Sequence, residues 1–242
     1  MKHYLIIILI GLTMFAWLAS QANTEDSWLD KGINIFKNVQ EPSSAEIAEA
    51  FKQALSIGTE NVVSQLGATD GFNADSAIHI PLPEELNTAK EMLSKIGKSQ
   101  LLDDLELKLN RAAEAATPKA KDLFLEAITD MTFEDIKDIY EGPEDSATKY
   151  FQSKMSPALK KEMEPIVEKM LSEAGAIQAY DRVIGEYQEL PFVPDVKADL
   201  TEHVLQKGLD GIFHYIAEEE AGIRTNPAKQ ITTLLKKVFG GK

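Results

Sequence analysis

Cysteine is absent from the 242 residues, so the chain can form no disulfide, no thiolate nucleophile and no sulfur site for a metal. Histidine is scarce, at four residues, one of them His3. His203 and His214 are eleven positions apart, roughly 16 Å along one straight helix, so they cannot share a metal. Each reads as a surface or packing histidine. The sequence has no G-x-S-x-G elbow, no H-E-x-x-H pair and no glycine-rich phosphate loop, which removes the commonest hydrolase, zincin and nucleotide-binding signatures. Positive charge is also short, with 25 Lys plus Arg against 39 Asp plus Glu and a formal charge of −14. Such a surface repels nucleic acid and anionic membrane while tolerating a divalent cation or a basic partner. Aromatic residues make up only 7%, yet 44% of the chain is hydrophobic, which marks a folded acidic protein rather than a disordered one.

The first 22 residues read as a secretory signal: Lys2 and His3, an apolar run from Tyr4 to Ala19, then Ser20-Gln21-Ala22 with small residues where a signal peptidase inspects the chain. Cleavage is expected after Ala22, leaving residues 23–242 as a single helical domain with a possible sub-boundary near 188–195. The expected location is the periplasm or the exterior. The apolar run is shorter than the ~20 residues a membrane-spanning helix needs, and no second long run follows, so no stable membrane insertion is expected once the signal is removed. A retained N-terminal anchor is the alternative. Without disulfides the exported body must rely on its core, and a chain of about 220 residues buries roughly 70% of its unfolded surface.

Periodicity after the signal is helical almost throughout, predicting an all-α fold: a compact multi-helix bundle with one short extended, proline-containing segment at about 73–83. Ser43-Ser44-Ala45-Glu46 is a capping box, and the helix it opens ends before Gly67 and the Asp70-Gly71 turn. Pro81 and Pro83 forbid a helix through Ile78–Pro83, and Pro83 with Glu84 and Glu85 suits the first turn of the next one. Thr117-Pro118, Ser156-Pro157 and Asn226-Pro227 read as further helix starts, with a kink or break expected at Pro165. Thr132 with Asp135 forms another cap, flanked by Met131 and Ile136 as a hydrophobic staple, and Gly142-Pro143 closes that helix. In the loop at 188–195, Leu190, Phe192 and Val193 are expected to pack down.

The polar candidates fall in two stretches. On the helix from about Leu101 to Ala116, Leu101, Leu102, Leu105, Leu109, Ala112, Ala113 and Ala116 share about a 120° sector, with Asn110 and Glu114 just beyond its edge and Arg111 further round. That helix should be central. Toward the C-terminus Glu220 and Arg224 stand four apart in the acid-first order. Gly208 and Gly211 interrupt an otherwise apolar helix, which predicts close approach of another helix beside Lys207 and Asp210. Asn110, Arg111, Glu114, Tyr150, Asp210, Glu220 and Arg224 form the candidate cluster, read first as ties between helices or to loop backbone and second as a binding pocket. No catalytic residue, metal site or cofactor is assigned. Asp70, Asn73 and Asp75 could suggest calcium, but lack the spacing of a calcium loop and read better as a turn. Glu218-Glu219-Glu220 reads as a solvated face.

Several blocks together carry a family resemblance: residues 54–63 (Ala54-Leu55-Ser56-Ile57-Gly58-Thr59-Glu60-Asn61-Val62-Val63), Ile80–Pro83, Asn110–Glu114, Met131-Thr132, Ala147–Phe151, Leu209–Phe213, Glu220 with Ile223-Arg224, and Leu235–Gly240. Over residues 28–240 the sequence resembles a bacterial family of exported proteins, domain of unknown function 4197. The resemblance implies a helical fold and a cell-envelope location, and no activity or cofactor. The family pattern has a second glycine where this chain has Asp70 before Gly71-Phe72. The favoured expectation is a non-enzymatic binding or structural protein with an unknown protein or small-molecule partner. The alternatives are a carrier for a small anionic or amphipathic ligand, with a polar pocket between helices, and a hydrolase pairing Glu114 with Glu220 or Asp210.

Overall fold

Ser43 accepts a hydrogen bond from the Glu46 amide while Glu46 reaches back to the Ser43 amide, and the first helix, α1 (Ser44–Leu66), opens on this reciprocal cap. The computed structural model describes residues 43–194, 197–226, 229–230 and 232–239, so the expected signal lies outside the described residues. A looping segment leads from Gly67 to a 3-10 turn at Glu84–Leu86, then α2 (Asn87–Lys95), α3 (Ser99–Asp130), α4 (Phe133–Glu141), α5 (Ser146–Glu173), α6 (Ala176–Gln188), α7 (Leu200–Thr225) and α8 (Thr233–Phe239). The expected all-α fold is found, with no strand among the described residues.

Helices α1, α3, α5 and α7 pack on one another around a common core, α6 closes the side formed by α2, α3 and α5, and α8 lies on α1. Leu102, Leu105, Leu109, Ala112, Ala113 and Ala116 of the predicted face are buried. Phe124 is fully buried between Phe151 and Phe213, edge-on to both. Lys237 of α8 donates to Glu46 at 2.6 Å. That bond, with the two from Ser43, holds the Glu46 carboxyl down at about 2.

Two expected helix starts are corrected. α3 runs through Pro118, and Thr117 Oγ1 turns back to donate to the Ala113 carbonyl at 2.9 Å instead of capping. The apolar stripe continues past the proline as Ala120, Phe124 and Ile128, so burial overrides the local stop signal. α5 likewise runs through Pro157 and Pro165 without a break. Phe151, Met155, Leu159, Met163, Val167 and Leu171 form an unbroken buried ridge at four-residue spacing, while both prolines face solvent. On that side the carbonyls each proline leaves unbonded can meet water. α7 ends at Thr225 and the Asn226 carbonyl accepts from the Lys229 amide at 3.0 Å, while the expected start at Asn226-Pro227 involves Pro227, which lies outside the described residues.

Thr132 and Asp135 form the predicted cap, with Met131 and Ile136 both buried, and α4 ends at Gly142. In the loop after α6, Leu190 and Val193 pack against the core. Phe192 does not: it is fully exposed and takes φ 61°, a left-handed conformation costly for an aromatic residue. Pro191 precedes it, and Pro194 restricts the backbone of Val193 that follows.

The glycine pair of α7 also differs from expectation. A Cβ on Gly208 would meet nothing within 4 Å, whereas one on Gly211 would stand 2.9 Å from Phe72 Cε1 and 3.2 Å from Ile78 Cβ. The close neighbour is the loop after α1, not another helix. Gly208→Ala should therefore stabilise the protein by about 1 kcal/mol through helix propensity, and Gly211→Ala should destabilise it by about 1–2 kcal/mol through overpacking. Urea denaturation of the two variants checks the contrast; equal shifts of the same sign would contradict this packing.

Candidate functional site

The loop from Gly67 to Pro83 has no regular partner for its backbone, and α3 supplies one through side chains. Glu114 Oε1 accepts from the amides of Phe72 and Asn73, each at 3.1 Å. Asn110 accepts from the Ile80 amide at 2.9 Å and donates to the Ile80 carbonyl at 2.8 Å. Glu106 accepts from the Leu82 amide at 3.3 Å and contacts His79 Nε2 at 2.9 Å. Residues 106, 110 and 114 recur every four positions, so they line one edge of α3 as a ladder. Glu106 is absent from the sequence-derived cluster, although its spacing from Asn110 and Glu114 would have revealed it.

Arg111 closes the near end of this ladder, donating to Glu114 Oε2 at 2.6 Å and to Asp70 Oδ1 at 2.7 Å. These two acceptors, Glu114 first, push the Arg111 guanidinium further above its ordinary value. Asp70 adopts φ 67°, a left-handed conformation that glycine takes most readily. Asp is accommodated because its carboxylate accepts from Asn73 and Arg111, which also lower its pKa. Asp70 is thus engaged within the protein, and no group of three or more His, Cys, Asp or Glu side chains that could hold a metal ion occurs among the described residues.

The second group lies across the bundle's helices, where α7 meets the start of α5. Asp145 makes no side-chain cap there. Glu220 substitutes for it: Oε1 accepts from the Ala147 amide and Oε2 from the Thr148 amide, both at 3.0 Å, and Thr148 Oγ1 donates to the same Oε2. A carboxylate at a helix N-terminus satisfies free amides and the positive end of the dipole together. Arg224 donates to Glu220 at 2.9 Å and to the Ile139 carbonyl at the end of α4 at 2.8 Å. Its guanidinium carbon also lies 5.4 Å from the Phe51 ring centre. Glu220 is buried, correcting the expectation that its acidic run forms one solvated face; Glu219 is engaged by Lys229 at 2.9 Å.

Tyr150 and Asp210 belong to neither group. Tyr150 interacts with Asp135, and burial followed by that charge raises the phenol pKa. Asp210 is exposed and accepts from Gln206 at 2.8 Å. His203 bonds to the Pro81 carbonyl, and His214 pairs with Glu218 on its own helix at 3.6 Å.

The loop is also fastened to α7 by a bond from Tyr215 to Asp75. That bond, then burial and the Asp75 charge, raises the Tyr215 phenol to about 12, while the Asp75 carboxyl is lowered first by the same bond and then by the Ala77 amide. Because the folded phenol lies above its ordinary value of 10.0, its stabilisation is complete below pH 10 and lost as the pH rises through about 12. A tyrosinate absorbance titration should show a last component near pH 12 that disappears in Tyr215→Phe. Titration of every tyrosine in a single step near 10 would rule this out.

The chemistry open to Glu114 and Glu220 is narrow. Both are buried, each binds an arginine of its own helix, and each receives two backbone amides. The cavity next to Arg224 measures about 20 Å³, far below the roughly 300–1,000 Å³ of a small-molecule pocket. Three surface grooves of about 540, 490 and 410 Å³ are lined by other residues, and of the cluster only Tyr150 borders one.

A family model described as protein of unknown function (DUF4197) matches residues 41–240. No curated protein and no solved structure matches the chain.

Proposed function

The chain belongs to the protein of unknown function (DUF4197) family, and from that premise we propose that it is an exported, non-enzymatic helical protein of the cell envelope, acting by binding a partner or as a structural element. The observation that carries this reading is the saturation of Glu114 and Glu220. A general acid or base needs a carboxyl able to reach substrate and exchange a proton, whereas these two hold loop and helix backbone in place. The N-terminal apolar run supports export, and no helix among the described residues is long and apolar enough to cross a membrane.

Two experiments test the parts separately. A cell fractionation with N-terminal sequencing should find the protein outside the cytoplasm and beginning at Asn23; a cytoplasmic chain that keeps its first residues would refute export. Purified protein should leave ester, peptide, glycan and phosphate substrate panels unchanged. Turnover that disappears in Glu114→Gln, with the fold intact by circular dichroism, would refute the non-enzymatic role. A ligand that raises the thermal midpoint in wild type but not in Arg224→Ala would favour the carrier instead.

A further inference from the structure

Thr59 departs from a pattern that three other helical threonines follow. Thr117, Thr129 and Thr225 each donate to the carbonyl four residues back, at 2.9, 2.9 and 2.7 Å. Thr59 is 1% exposed, and its hydroxyl has no protein partner. Arg224 shows a matching deficit: a terminal nitrogen serves Glu220 and Ile139, but the buried Nε–H has no acceptor. Both side chains border the same cavity of about 20 Å³ between α1 and α7, whose other walls include Phe51, Leu55, Ile216 and Ile223. Two residues that carry unpaired polar groups, from different helices, therefore border one largely apolar space, which Glu219 and Glu220 also line, and a buried polar group left unpaired is costly.

We propose that this cavity is a specific binding site for one water molecule, which accepts from Arg224 Nε–H and hydrogen-bonds the Thr59 hydroxyl. Size and charge select this occupant. A water needs roughly 10–15 Å³ of such space and two or more polar partners, and a cavity of about 20 Å³ meets the first requirement without room for an organic ligand. An anion is disfavoured because the Arg224 charge is already matched by Glu220 at 2.9 Å. The bound water makes Arg224 a three-way junction: α4 through Ile139, its own helix and the start of α5 through Glu220, and α1 through the water and Thr59. This inference does not depend on export or on the absence of enzymatic activity.

The test combines an atomic-resolution crystal structure with NMR detection of water at the Arg224 Nε–H. Wild type should show one water within hydrogen-bonding distance of both atoms and a cross-peak between that proton and a long-lived water. Thr59→Val, nearly equal in shape, should lose both signals, and Thr59→Ser should keep them. If Thr59→Val fails to fold, the wild-type and Thr59→Ser measurements still decide the matter. Thr59 bonded to the Leu55 carbonyl with no water in the cavity would overturn the proposal, as would a water retained at full occupancy in Thr59→Val.

Discussion

Glu220→Gln is expected to lower the unfolding free energy by about 3–5 kcal/mol, the cost typical of removing one partner from a buried ion pair. The substitution preserves shape, so the loss would come from hydrogen-bonding and charge. An amide cannot present acceptors on both atoms, yet Glu220 uses Oε1 for Ala147 and Arg224 and Oε2 for Thr148. The variant therefore leaves Arg224 without its counter-charge and turns a donor toward another donor. The neighbouring Glu219→Gln is the control: its ion pair with Lys229 is partly exposed and should be worth about 1 kcal/mol or less. Urea denaturation at neutral pH compares the two. Equal small losses would remove Glu220 from its role as the link between α7 and α5.

Glu114→Ala should cost about 3 kcal/mol, distributed differently along the chain. It frees the amides of Phe72 and Asn73, at about 1–3 kcal/mol for each buried donor left unpaired. Arg111 keeps Asp70 as a partner, so the charge is not abandoned. Amide hydrogen exchange should speed up over residues 70–80 more than over the start of α5, because the loop loses its hold while α5 keeps Glu220. Uniform acceleration across the protein would show that Glu114 supports the whole bundle rather than this loop. Phe72, fully buried, ties the loop to Gly211 of α7 independently and limits how far it can release.

Features encoded by neighbouring residues were legible in the sequence. The caps at Ser43 and Thr132, the stops at Gly67 and Gly142, the buried face of α3 and the central place of that helix all rest on short-range spacing. So do the pairs Arg111–Glu114 and Glu220–Arg224, three and four residues apart. The partners that give those acids their purpose were not legible: Glu220 meets amides 73 and 72 positions away, and Glu114 meets amides 42 and 41 away. Proline misled the reading for a related reason. Its preference for a helix start is local, while the ridge from Phe151 to Leu171 that keeps α5 intact depends on the helices packed against it. Asp145, just before α5, sits at φ −111° and ψ 15° without a side-chain cap, and the capping falls to Glu220 from across the bundle.

The ladder on α3 has a consequence for how this molecule behaves in a crowded compartment. Extended backbone is where foreign polypeptides most readily add themselves, because its amides and carbonyls form a template for a new strand. From Ile80 to Pro83 that template lacks donors: the Ile80 and Leu82 amides are taken by Asn110 and Glu106, and Pro81 and Pro83 have none to offer. This extended stretch is thereby insulated against intermolecular β-pairing.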